Sequence, residues 1–361
     1  MPCLAPARAS PSKPPAWATA PESPAVPSWP GNARANQPPQ GRFLFPDPLD
    51  WLMRRAVIDI GTNSVKLLVA DLDRAHSRLT PVLERGIQTR LGRGFYTHRL
   101  LQTEPVAATA QTCRDFFRLA REHHAEEVIL VATSAVREAL NPELLLEAVL
   151  QATGRPVQIL SGEEEADLAF LGVGTSPAIL PDRRLILDVG GGSTEFILGI
   201  PESIPYRQSF PLGTVRTMES AVVSDPPAHG ELHACQEQLH HFLQKQVAPS
   251  LRPQLDSISG PCPWIATGGT AALLACLELS LESFDRDRIE QCVLTRSALR
   301  SRCASLWQLS LAERRLLPGL PPNRADVILF GAAIMLAVLD AFEVTELRPS
   351  TRGLRFGALL R

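Results

Sequence analysis

The chain has 361 residues, 45% of them hydrophobic and 20% charged, with a formal net charge of −2. Such a length suggests two domains of ordinary size, and the composition is that of a soluble globular enzyme. The near balance of charge excludes a global basic field for bulk nucleic-acid binding, so any polyanion must be met by local clusters of Arg and Lys.

Residues 1 to about 50 hold 13 of the 32 prolines, with Ala and Ser between them and no periodicity. Such a segment buries too little apolar surface to offset its ordering entropy, so residues 1–53 are predicted to be a disordered leader. Met53-Arg54-Arg55 leads directly into the first strand, which makes Met53 an alternative start of translation. AVIDIG and SVKLLVADL then read as a hairpin, with a third strand near Leu79 to Gln88. A helix is expected over about 103–122, VILVATSA as a buried strand, and a second helix over about 141–152. Asn141-Pro142 suits the cap and first turn of that helix. PVQIL is a short strand, and Gly162 opens a helix with acids in its first turn, where the helix dipole favours them.

Leu185 restarts the theme. LILDVGGGSTEFILG reads as a hairpin with two more strands near 203–219. Helices follow at about 230–247, 268–279, 295–308 and 323–342, with the strand PWIATGG between the first two. VTELRPS closes as a strand and Leu354 to Leu360 as a helix. This is an α/β architecture built twice. The expected division is 54–181 for a first domain, completed by about 343–361, and 182–342 for a second.

The two halves share a register. From Asp59, Gly61 lies at +2, Ser64 at +5 and Lys66 at +7; from Asp188, Gly190, Ser193 and Glu195 hold the same offsets, 129 residues later. Seven scattered cysteines without a C-x-x-C pair exclude a zinc ribbon and fit a reducing cytoplasm. His229 and His233 have i,i+4 spacing, which a solvated helix face accounts for. The longest apolar run, Val327 to Leu339, is too short to span a bilayer and reads as a buried helix; no secretory h-region is visible.

Three turns carry the chemistry. Gly61-Thr62-Asn63-Ser64 and Gly190-Gly191-Gly192-Ser193-Thr194 offer backbone N–H groups and hydroxyls to an anion. Gly268-Gly269-Thr270 lies between a strand and a helix N-terminus, a usual place for phosphate. Asp59 and Asp188 end buried strands, where an ionised carboxylate needs a partner or a cation. Glu195 returns toward the same mouth. Mg²⁺, which takes one or two carboxylates plus waters and phosphates, suits that set. A base is still needed to orient water, and helical spacing leaves Glu163, Glu164 and Glu165 as candidates.

The segments AVIDIGTNSVKLLVADL, ATSAVREALN, ILSGEEEADLAFLGV, LILDVGGGSTEFILG, FPLGTVR, ATGGTAALLA and LPGLPPNRADVILFGAAIM together resemble the exopolyphosphatase / guanosine pentaphosphate phosphohydrolase (Ppx/GppA) family, in the family's order, from about Arg55 to Arg361. The resemblance implies two ribonuclease-H-like domains of the actin-like and sugar-kinase superfamily with a cleft between them. It implies hydrolysis of the terminal phosphate of polyphosphate or guanosine pentaphosphate with Mg²⁺ and water. It puts the base on Glu165, metal and water positioning on Asp188 and Glu195, and phosphate binding on the turn residues. Arg90 and Arg137 would neutralise the chain in the cleft as phosphate donors, with Lys66, Arg216 and Arg324 as further family positions. The chain lacks the C-terminal helical domains of long members, which help dimerise them, and has Leu354-Arg355-Phe356-Gly357 where the family commonly has L-R-E-G. The partner expected is polyphosphate or guanosine pentaphosphate, with no membrane and with a homodimer as an open alternative. A superfamily kinase or a non-catalytic alarmone sensor are the competing readings.

Overall fold

The computed structural model describes residues 52–73, 78–179 and 183–361. The expected leader, residues 1–53, lies outside these described residues except for its last two positions. The first apolar runs become β1 (Leu52–Ile60), β2 (Val65–Asp73) and β3 (Arg78–Ile87), followed by β4 (Glu127–Ala132) and β5 (Gln158–Ile159). The theme restarts with β6 (Arg184–Val189), β7 (Thr194–Ile200), β8 (Ser203–Phe210), β9 (Trp264–Thr267), β10 (Leu294–Thr295) and β11 (Glu346–Pro349).

Two sheets result, ordered β3-β2-β1-β4-β5 and β10-β11-β9-β6-β7-β8. β1 is antiparallel to β2 and parallel to β4, and β6 is likewise antiparallel to β7 and parallel to β9. Taken from its other edge the second sheet runs β8-β7-β6-β9-β11, so the sequence repeat is also a repeat of topology, with β10 added at the edge. This is the expected α/β class, with two sheets built on the same strand order.

Strand parity explains why AVIDI and LILDV read as unbroken apolar runs. Successive side chains leave a strand on opposite faces, and here both faces are covered. Ala56, Ile58 and Ile60 enter one core with the helix Thr103–Glu122, while Val57 enters another with Leu168 and Phe356. Leu185, Leu187 and Val189 pack with the helix Ile328–Ala341, while Ile186 packs with Phe170 and Val173. The same parity sets Asp59 on the face of Val57 and Asp188 on the face of Ile186. The helix Ile328–Ala341 is the buried apolar helix expected; no described helix is long and apolar enough to cross a membrane.

Those two faces are joined by a helix pair. Gly162–Gly174 packs on β7 and β8, Leu354–Leu360 packs on β1 and β2, and the two helices pack on each other. They cross at backbone contact: a Cβ on Gly172 would collide with the Gly353 carbonyl oxygen, and one on Gly357 with that of Leu168. Because the obstacle is backbone, no side chain can swing away. Gly357→Ala should therefore cost about 1–3 kcal/mol through forced separation of the helices, read as a lowered urea midpoint. An unchanged midpoint would show that the crossing tolerates a methyl group.

Three expectations are corrected. Residues 343–361 divide, since β11 joins the second sheet and only the terminal helix packs on β1 and β2. One strand, not two, occupies 203–219: Thr214 N and Val215 N donate to the Gly190 and Gly191 carbonyl oxygens, which turns the chain out of the sheet and into the helix Thr214–Ser220. Asn141 does not cap the helix Glu143–Thr153; its amide bonds the Leu101 N–H at 2.8 Å and the Leu101 carbonyl at 3.1 Å.

Candidate active site

The two hairpins end alike. Gly61 N donates to Ser64 O at 3.0 Å and Gly190 N to Ser193 O at 2.9 Å, closing the same four-residue turn twice. Beyond each turn the antiparallel register pairs Asp59 with Lys66 and Asp188 with Glu195. The shared offset of seven residues is thus direct cross-strand opposition, which brings the two side chains of each pair to one face. Both turns and the third, Gly268 to Thr270, line one cleft of about 520 Å³, together with Asp59, Asp188, Glu165 and Lys66.

Glu165 enters that cleft from the first turn of the helix Gly162–Gly174. Its two acidic neighbours are occupied or exposed. Glu164 closes a capping box with Ser161, whose N–H donates to Glu164 Oε2 at 2.8 Å, and these bonds hold the Glu164 carboxyl below its ordinary range. Glu163 stays exposed, 3.9 Å from Arg207. Glu165 is buried and accepts from Arg137 Nη1 at 2.9 Å. Burial pushes its carboxyl up to about 7; Arg137 opposes this, and the nearby Asp188 and Asp59 add to it. Burial likewise drives Asp188 to about 6, with Lys66 opposing and Asp59 adding, and it raises Asp59. Lys66 is pushed downward by burial, against the pull of Asp59. The acids therefore crowd one another in a place where water does little to help them.

The predicted residues fall into two groups. Asn63, Ser64, Gly190, Gly191, Gly192, Ser193, Gly268, Gly269 and Thr270 line the cleft with Asp59, Asp188 and Glu165. Thr194, Glu195, Arg90 and Arg137 do not. Thr194 is fully buried and its hydroxyl donates to the Leu212 carbonyl oxygen. Glu195 lies behind the wall, 1% exposed, accepting from Ser209 Oγ at 2.7 Å, and burial beside Glu165 and Asp188 raises it well above the ordinary carboxyl range. Arg90, expected in the cleft, instead pairs with Asp326 at 2.7 Å. Arg137 is engaged by Glu165 and by the Leu160 carbonyl oxygen, so it orients the acid. Arg216 is structural: it grips Glu138 at 2.6 Å, donates to the Gly192 carbonyl oxygen at 2.8 Å and lies 4.2 Å over the Tyr96 ring.

Two glycines acquire a reason that sequence reading missed. A Cβ on Gly192 would collide with Tyr96 Oη and Ser134 Oγ, so that turn is bare because the first half of the chain presses on it. Gly268 has φ of +86° and lies directly over Asp188 Oδ1, where a Cβ would collide. Reading by motif also missed Gln88, Glu84 and Arg355 in the cleft wall. Gln88 donates to Asn63 Oδ1 at 2.9 Å and so orients that amide. The alternation of Glu84, Gly86 and Gln88 at the end of β3 is a signal for the two on that strand and not for Arg355, which comes from the terminal helix.

Among the described residues no three His, Cys, Asp or Glu side chains converge into a metal cage. A cation held by one or two carboxylates and completed by water and phosphate needs no cage, and that is the habit of Mg²⁺. The donors present fit it. Asp59 and Asp188 face the cleft with Lys66 close by, and Ser64 Oγ, buried in the first turn, has no hydrogen-bond partner among the described residues. A buried hydroxyl without a partner is costly unless something else completes it.

Comparison with known proteins identifies a family for the chain. The family model described as the Ppx/GppA phosphatase family matches residues 68–361. Exopolyphosphatase 2 of Mycobacterium tuberculosis is 31% identical over 291 residues, covering 79% of this chain and 89% of its own. The Aquifex aeolicus PPX-GPPA enzyme superposes with a TM-score of 0.68 at 32% identity, over 86% of this chain and 99% of its own. An exopolyphosphatase from Cytophaga hutchinsonii gives a TM-score of 0.74 at 26% identity, over 85% and 96% of the two chains. The family match covers all the cleft acids but Asp59, whose hairpin begins before it, and on these grounds the chain belongs to the Ppx/GppA phosphatase family.

Proposed function

We propose that this chain is a Mg²⁺-dependent exophosphatase that hydrolyses the terminal phosphoanhydride of inorganic polyphosphate. The observation that carries it is Glu165, buried, held by Arg137, and placed in a cleft where three N–H-rich turns converge. With its carboxyl near 7, Glu165 takes a proton from water while remaining largely ionised at slightly alkaline pH. Water then attacks the terminal phosphorus, the phosphoanhydride bond breaks, and the shortened chain leaves with the electron pair. The N–H groups of the turns stabilise the charge on the phosphoryl oxygens without reorganising. Asp188 and Asp59 would hold the cation, which supplies charge neutralisation for the phosphates. Glu195, reached by the Ser209 hydroxyl, is assigned to positioning. The exopolyphosphatase names of its relatives support polyphosphate as the substrate.

Guanosine pentaphosphate is the second reading. Phe284 lines the cleft yet is 59% exposed, a surface on which a base can stack and which a bare phosphate chain has no use for. Phosphate release from medium-chain polyphosphate, guanosine pentaphosphate and ATP, with and without Mg²⁺, tests both. Polyphosphate should release phosphate without any acceptor and only with the divalent cation. Release from none of the three would return the chain to the kinase or sensor readings.

A further inference from the structure

Four acids line the cleft, Asp59, Glu84, Glu165 and Asp188, against three cations, Lys66, Arg324 and Arg355. Asp59 and Asp188 at the hairpin ends and Glu165 in the first turn of its helix take part in the chemistry above. Glu84 does not. It stands on β3 and lines the cleft, where an acid would repel an entering polyanion.

Glu84 is not idle there. Its Oε1 pairs with Arg286 Nη2, and its Oε2 lies 3.3 Å from Arg355 Nη2. The Glu84 side chain is 25% exposed and each arginine 17%. The two guanidinium groups are not held alike. Arg286 also donates to the Thr351 hydroxyl and lies 5.1 Å from the Phe356 ring. Arg355 has one further bond, to the Leu67 carbonyl oxygen at 3.2 Å, and of the two arginines it is the one on the cleft wall. A carboxylate and a phosphate present similar oxygen pairs to a guanidinium fork. An anion arriving along the cleft can therefore take over Arg355 while Arg286 keeps Glu84 from being stranded.

We propose that Glu84 is an internal stand-in for a substrate phosphate: it holds Arg355 ready and yields it to the phosphates behind the terminal one. Glu84 then sets substrate affinity and the chain length needed to reach Arg355, and it takes no part in bond breaking. The inference rests on the polyphosphate reading, and its test is built to fail separately. Glu84→Gln keeps the shape and removes the competing charge. KM for medium-chain polyphosphate should fall roughly two- to fivefold, with kcat within about twofold, and tripolyphosphate should respond less. Equilibrium binding of medium-chain polyphosphate in a Glu165→Gln background should tighten in parallel. Arg355→Gln should raise KM for the medium chain and spare kcat; an unchanged KM in that variant overturns the proposal even if Glu84→Gln fails to fold. A weakened Kd in Glu84→Gln makes Glu84 a mere strut between the sheets and also overturns it. If the wild-type chain binds and hydrolyses polyphosphate and Glu84→Gln behaves identically, this inference alone falls. If the wild type does neither, both readings fall.

Discussion

Glu165→Gln is expected to reduce phosphate release by about three to four orders of magnitude while the protein still melts cooperatively. Glutamine preserves volume and can still accept from Arg137, so the 2.9 Å contact that orients the side chain survives. What is lost is the capacity to take a proton. Burial first, then Asp188 and Asp59, hold the native carboxyl near 7, so activity of the wild type should rise through neutrality as the base ionises. The variant should lose that rise along with its rate. Measured together, kcat and the thermal melt separate chemistry from folding. Near-normal turnover by Glu165→Gln would remove the base from the mechanism.

The second large effect concerns the cation. Asp59, Glu165, Asp188 and Glu195 all ionise less readily in the folded chain than in the unfolded one. A raised carboxyl favours the folded state while it is protonated. That contribution is fully present below the ordinary carboxyl range, about pH 4, and is lost as pH rises through the folded values, near 6 for Asp188 and 7 for Glu165. Protein stripped of divalent cations should therefore lose on the order of 5 °C in Tm between pH 5 and pH 8. Mg²⁺ should restore most of that at pH 8 and little at pH 5, where the acids are protonated and bind it weakly. An equal Mg²⁺ effect at both pH values would place the ion away from these carboxylates. A flat profile without cation would mean that Lys66 and the arginines already neutralise the acids.

Much of this was legible in local sequence because it follows from short-range rules. The offset of seven residues from Asp59 to Lys66, and again from Asp188 to Glu195, is long enough to hold a four-residue turn and a pair of opposed strands. Burial on both faces produces unbroken apolar runs, so β1 and β6 announced themselves together with the acids at their ends. Glu165 was only one of three candidates by helical spacing, and family resemblance singled it out. In the structure the capping box of Ser161 and Glu164 turns the neighbouring acid outward.

What tertiary structure alone decided are the pairings between distant segments. Arg90 and Arg137 have the right chemistry for phosphate, but whether a guanidinium meets phosphate or protein depends on which carboxylate folding brings near. Asp326 takes the first, 236 positions away along the chain (326 minus 90), and Glu165 the second. Asn141 was drawn off its cap in the same way by Leu101. The glycines of Gly190 to Gly192 were legible as a bare turn, yet the reason Gly192 must be bare is the approach of Tyr96 and Ser134 from the other half. Composition and spacing determined the two hairpins, their acids and their turns, since each rests on contacts within about ten residues. The filling of the cleft wall by Glu84, Arg355 and Arg324 was set by the closing of one sheet on the other, because charge partners and close backbone approach depend on distance in space and leave no period in the chain.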